Sequence, residues 1–480
     1  MLFNSLSFAV FLPVVFLLYW AVPHRFRVPI LLAASYWFYM SWNVKYVVLI
    51  LFTTAVSYGT ALALERTERK RTRKWLLTGA LAACLGLLFV FKYLDFFFAS
   101  VNAVLGALSL PLHPVTLRLM LPVGISFYTF QTLSYVIDVY RGKFPAERNF
   151  FVYATFVSFF PQLVAGPIER TENLLPQIRA EHVFDYDQAT YGLKLMAWGF
   201  FKKLVIADNL CVFVDKVYHN VWDFEGLPLI VASLFFLAQI YCDFSGYSDI
   251  ARGTSMLLGI RLMENFKSAY LSASIREFWS RNHISLSTWF RDYVYIPLGG
   301  SRCGKLRHNF NLLATFTLSG LWHGASWTFV LWGALHGLGQ IVENALHVSK
   351  SVTVGTWRWL GRVLVTFTFC AFGLVFFRAQ TLPEALYVIT HSFRLAGLAS
   401  PVRYVADTLH ALGMVRYDLI VAAVSLPVLI AYDYASLRGD VIVWLSRRRA
   451  AVRWAVYLAF LALILCFRAS GETAFVYFQF

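Results

Sequence analysis

Val44-Lys-Tyr-Val-Val-Leu-Ile-Leu-Phe-Thr-Thr-Ala-Val-Ser-Tyr-Gly-Thr-Ala-Leu-Ala-Leu64 runs directly into Glu65-Arg-Thr-Glu-Arg-Lys-Arg-Thr-Arg-Lys74. The first stretch holds one charge and, as a helix, is about 30 Å long, the thickness of a hydrocarbon core. The second has six basic residues against two acidic ones, which puts it on the cytoplasmic side of a membrane. Working backwards, an apolar run from Val28 to Trp42 and another from Ser5 to Val22 flank Arg25 and Arg27. Ser5–Val22 is too long and aromatic for a cleaved leader, so it reads as a retained span. The three spans agree on a cytoplasmic Arg25 and Arg27 and an N-terminus on the outer face.

Working forwards, spans are expected at 75–91, 120–140, 149–165, 190–207, 227–243, 308–321, 325–346, 357–377, 416–434 and 453–467. Weaker runs at 97–110 and 384–398 read as interfacial or re-entrant. Arg447 to Arg449, with Arg453, should be cytoplasmic, which leaves the C-terminal tail on the outer face. The expectation is an all-α polytopic membrane protein of about 10–13 transmembrane or re-entrant helices. It reads as one membrane domain, residues 1–480, with N-terminal helices at 1–115, a catalytic core at 116–346, and C-terminal helices and outer tail at 347–480.

Composition supports this. The chain is 59% hydrophobic and 14% charged, with 45 Phe, 25 Tyr and 15 Trp, too apolar for a soluble domain. The net charge of +16 lies in short clusters between apolar runs and marks topology. Without an RNA- or DNA-binding motif beside it, no nucleic-acid partner is expected. The six cysteines contain no CxxC pair, and neither a disulfide framework nor a metal site is expected. No phosphate loop, dinucleotide fingerprint or nucleophile elbow is present. Lys202, Lys203 and Asp208 read as a helix end at the membrane interface.

Chemistry concentrates between Arg276 and Gly337. Arg276-Glu-Phe-Trp-Ser-Arg-Asn282-His283 leads through Trp289, Arg291 and Asp292 to Pro297 and Gly299-Gly300. Such a stretch suits short amphipathic or re-entrant helices held within protein. Arg302, Lys305 and Arg307 form either a solvated loop or a landing site for donor phosphates. Next, Gly320-Leu-Trp322-His323-Gly324-Ala-Ser-Trp327 sets an ionisable residue in an apolar run, a functional candidate by its cost alone. The flanking glycines are expected to open space beside it. A neutral imidazole there can take a proton from a hydroxyl, as acyl transfer to an alcohol requires. His336 lies thirteen residues on, nearly 20 Å along a continuous helix, and reads as structural. Gln131, Glu169, Asp243 and Asp249 are polar residues in or near apolar segments that either line a passage or serve as hydrogen-bonded structure.

His283 and His323 in these settings resemble the membrane-bound O-acyltransferase (MBOAT) family, and its alginate O-acetyltransferase-like bacterial branch in particular. So do the opening Met1-Leu-Phe-Asn-Ser5, Gly124-Ile-Ser-Phe-Tyr-Thr-Phe-Gln131, Phe160-Pro-Gln-Leu-Val-Ala-Gly-Pro-Ile-Glu169 and Tyr241-Cys-Asp-Phe-Ser-Gly-Tyr-Ser-Asp249. The resemblance implies a helical bundle around a central tunnel, with His323 as catalytic histidine and His283 as its partner. Asn282, Trp322, Trp327, Gln131, Arg302, Lys305 and Arg307 become candidate substrate-binding residues. It implies an acetyl group taken from a cytoplasmic thioester donor resembling acetyl-CoA, with no bound cofactor and no metal. The acceptor would be an exported polysaccharide, alginate-like in the favoured reading and peptidoglycan in the alternative. A periplasmic or extracellular SGNH/GDSL-like acetyltransferase and an exopolysaccharide biosynthesis complex would be partners, in the lipid of the bacterial inner membrane. The terminal Ala474-Phe-Val-Tyr477-Phe-Gln-Phe480 is either an interfacial anchor or, by the resemblance, an acyl relay at the Tyr477 hydroxyl. Rival readings are a lipid-linked sugar transporter, disfavoured by the scarcity of paired charges within spans, and a scaffold of a polysaccharide export complex.

Overall fold

The computed structural model describes residues 1–110, 119–348, 352–469 and 475–476. The described chain is helical, with no strand among the described residues. Six of its helices are long and apolar enough to cross a membrane: Val44–Arg66, Lys70–Ala107, Leu227–Leu257, Trp357–Arg378, Arg416–Ser436 and Ala450–Phe467. A shorter apolar helix, Leu6–Ala21, precedes them. The apolar run at 44–64 begins with the Asn43 side chain accepting the Lys45 N–H at 3.0 Å, and its helix ends at Arg66, where the basic cluster starts. The weaker run at 97–110, read as interfacial or re-entrant, is helical as far as Ala107. It continues the preceding helix through a π-helical turn, Phe89–Tyr93, into Leu94–Ala107, because no glycine or proline lies between the two.

By contact the chain forms two compact units, residues 1–193 with 251–263, and residues 194–250 with 264–480. In the first, Phe38 and Phe160 lie with Phe11 in an aromatic cluster, centroids 5.2 to 5.8 Å apart. The buried Tyr153 hydroxyl donates to Ser57 at 2.6 Å. Hydroxyls facing one another in this way replace the water that a bilayer cannot supply.

In the second unit, the helices Lys305–His323 and Trp327–Ala345 form a tight antiparallel hairpin. Gly320 and Gly333 meet at the crossing, where a Cβ on either would overlap the opposite backbone. The same unit corrects the reading of Lys202 and Lys203. Both are buried, and they sit in a π-helical stretch, Phe201–Ala207. Gly199 and Gly246 let that stretch press against Leu227–Leu257, since a Cβ at Gly199 would lie 2.6 Å from the Gly246 carbonyl oxygen. The amines therefore turn into the contact. Lys202 Nζ lies 2.7 Å from Asp249, and Lys203 Nζ lies 2.7 Å from Asp243 and 2.9 Å from Asp208. The scarcity of paired charges expected within spans does not hold here.

Candidate active site

His283 sits between two seven-residue helices, Ile275–Arg281 and Ile284–Phe290. Its backbone is left-handed, φ 47° and ψ 51°, a conformation that a non-glycine residue holds only where its surroundings impose it. Asn265 imposes it. Its carbonyl oxygen takes the Ile284 N–H at 3.0 Å, and its side-chain Oδ1 accepts from Ser285 N–H at 3.1 Å and Ser285 Oγ at 2.8 Å. His283 Nδ1 lies 3.4 Å from the same Oδ1. The preceding helix is held at its start by the Glu343 carboxylate, which accepts the N–H groups of Ile275 (2.6 Å) and Arg276 (3.1 Å). A carboxylate suits that end of a helix.

His323 is the last residue of Lys305–His323. The chain turns over Gly324 to Ser326, whose hydroxyl accepts the Thr328 N–H and starts the next helix. Gly324 is extended, φ −157°, and a Cβ there would overlap the Phe329 ring. Neither flanking glycine opens space beside His323; both admit the returning helix. The turn also brings His336 back to the histidine cavity, because no continuous helix joins the two. His336 Nδ1 accepts from Trp279 Nε1 at 3.2 Å, and Trp332 stands between, 5.0 Å by ring centroids from His323 and from His336.

His283 and His323 are both buried, with ring centroids 6.0 Å apart. They line a cavity of about 40 Å³ together with His336, Asn282 and Trp332, closed by aromatic rings such as Phe244 and Tyr270 and by Cys370, Leu374 and Phe377. Phe244 packs 4.6 Å from His283, and Phe377 packs 5.5 Å from His323. Apart from the imidazoles and Asn282, the walls are chiefly apolar, so a developing charge meets little competing water.

Not every candidate joins this cavity. Trp322 stands 5.1 Å from His323 and 5.9 Å from His283 but behind the lining. Trp327 is exposed at the start of its helix. Arg302, Lys305 and Arg307 are exposed at the other end of the His323 helix, about 27 Å away along its axis. Gln131 belongs to the first unit, where its amide donates to the Phe156 carbonyl at 2.7 Å and accepts from Gln162 at 3.0 Å. Glu169, in the same unit, accepts Met263 N–H at 2.6 Å and Asn173 Nδ2 at 2.7 Å. Burial pushes its carboxyl up to about 7 against those hydrogen bonds. Asp243 and Asp249 are held by the lysines described above. Tyr477 lies outside the described residues, but the two residues before it do not. Phe475 packs 5.0 Å from Tyr247 and 5.7 Å from Phe244. Asn265 and Phe377 were not singled out from sequence; an asparagine 18 residues before a histidine carries no signal until the turn is folded.

The family model described as MBOAT, membrane-bound O-acyltransferase family, matches residues 147–377, which include both site histidines. A "Probable alginate O-acetylase AlgI" of Pseudomonas putida is 37% identical across the whole of both chains. A "Peptidoglycan O-acetyltransferase" of Helicobacter pylori is 36% identical, over 83% of this chain and 81% of its own length. A "Teichoic acid D-alanyltransferase" of Bacillus subtilis is 26% identical, over 56% of this chain and 71% of its own.

Proposed function

The chain belongs to the membrane-bound O-acyltransferase family and is a multi-pass membrane O-acetyltransferase, and from that premise we propose how and on what it acts. It takes acetyl from a cytoplasmic thioester, acetyl-CoA or a close relative, and passes it across the bacterial inner membrane for O-acetylation of an exported polysaccharide. An alginate-like polymer is favoured, supported by the relative that matches from end to end. Peptidoglycan is the second reading, because the Helicobacter relative is nearly as similar over most of its length.

The observation that carries the proposal is the meeting of His283 and His323, 6.0 Å apart by ring centroids, on one small buried cavity. His323 acts as general base. It takes the acceptor hydroxyl's proton as the oxygen attacks the acyl carbonyl, and it returns the proton to the thiol that leaves. His283, locked by Asn265, orients the reacting groups from the opposite side. The small acyl group of this reading is supported by the O-acetylase and O-acetyltransferase relatives. The first acceptor is the Tyr477 phenol, whose aryl ester readily gives up its acyl group. An exported SGNH/GDSL-like partner then completes the transfer to polymer. Arg302, Lys305 and Arg307 serve the donor phosphates at the far end of the His323 helix.

Replacing His323 with alanine tests this. The variant inserts and lets polymer be secreted, but polymer acetylation falls about 10²- to 10⁴-fold, measured as acetyl ester per sugar residue. Full acetylation in that variant overturns the proposal. Assaying alginate-like polymer and peptidoglycan from the same cells separates the two acceptors.

A further inference from the structure

The buried charge cluster of the second unit has a contact that the chemistry above does not use. Asp243 faces Lys203 with Oδ1, 2.7 Å away, and with Oδ2 it accepts the backbone N–H of Val476 at 2.6 Å. Both Val476 and its neighbour Phe475 are buried, so the chain's last described residues are fastened to the long helix Leu227–Leu257 through a carboxylate that already carries a paired charge. Asp243 sits one residue before Phe244. The Phe244 ring touches Phe475 on one side, at 5.7 Å, and His283 on the other, at 4.6 Å. The contacts therefore run from the tail through one ring to the histidine cavity.

We infer that Asp243, backed by Lys203, is a positioning residue for the C-terminal segment: it clamps Val476 and so fixes where the next residue starts relative to the cavity. In sequence, the clamped residue is the direct neighbour of Tyr477. Lys203 adds to the clamp by holding the other carboxylate oxygen in place at 2.7 Å, and an N–H donated to a carboxylate is stronger than one donated to a neutral acceptor. The inference rests on the acyl-relay reading of Tyr477 for its purpose, but not for the clamp itself.

The test removes the donor and leaves the cluster intact. Val476→Pro has no N–H, whereas Val476→Ala keeps it. In the full-length protein, the Val476 amide should exchange hydrogen slowly by mass spectrometry of C-terminal peptides, and about 10- to 100-fold faster in Asp243→Ala. Val476→Pro should lose polymer acetylation while Val476→Ala keeps it, with both variants inserted at native levels. An unprotected Val476 amide in the native protein overturns the inference, as does full acetylation in Val476→Pro. Tyr477→Phe separates the two ideas. If that variant acetylates normally while Val476→Pro does not, the clamp stands and only the relay falls.

Discussion

Gly324 follows the candidate base directly, and its lack of a side chain is a packing requirement. A methyl group there would overlap the Phe329 ring, whereas at Gly361, within the helix Trp357–Arg378, a Cβ meets nothing within 4 Å. Gly324→Ala should therefore destabilise the detergent-solubilised protein by about 1–3 kcal/mol, the usual cost of overpacking, and lower acetyl transfer with it. Gly361→Ala should be neutral or slightly stabilising, because alanine is the better helix former. Thermal unfolding of the two variants side by side checks this, and equal behaviour would contradict the close approach. At this scale much of the site was legible. His323 stands out because an ionisable residue in an apolar run is rare, and His283 through the Trp- and Arg-rich polar segment that carries the family resemblance. The purpose of the glycines was not legible, since a glycine that opens space and one that admits a neighbouring helix look alike until the neighbour is placed.

Short helices carry His283, and they owe their position to an element distant in sequence. Glu343, on Trp327–Ala345, accepts two N–H groups at the start of Ile275–Arg281, and Asn282 and His283 follow that helix directly. Glu343→Ala removes both bonds and the favourable charge at the helix N-terminus. It should cost about 1–3 kcal/mol and reduce kcat more than KM, because the imidazole shifts while the cavity remains. Glu343→Gln keeps one acceptor and should recover part of the loss. A change in stability with untouched kcat would leave Glu343 as a structural cap only. Apolar length alone was enough to place Val44–Arg66 and Trp357–Arg378. It did not show that the helix before residue 97 continues to Ala107, where composition weakens but nothing breaks the helix. The return of the chain at Gly324 to Ser326 set His336 beside the cavity, and thirteen residues of spacing could not show that.

Across the whole chain, the least legible feature is the charge cluster. Lys203, Asp208 and Asp243 span 41 positions of sequence and join a π-helical stretch to a 31-residue helix. Read singly, Lys203 and Asp208 look like residues at a membrane surface, and Asp243 like the lining of a passage or a hydrogen-bonded structural residue. Lys203→Met leaves two buried carboxylates uncompensated and should cost about 3–5 kcal/mol, seen as a marked fall in apparent melting temperature. Arg403→Met, which breaks a pair exposed on both sides, should leave that temperature unchanged. The helix Trp357–Arg378 shows the opposite division of labour. It supplies Cys370, Leu374 and Phe377 to the cavity wall and neither of the paired histidines. Part of the bore therefore comes from a piece of chain that carries neither imidazole. Trimming Leu374 would widen the space for cargo, whereas trimming Phe377 would also remove the ring that packs on His323.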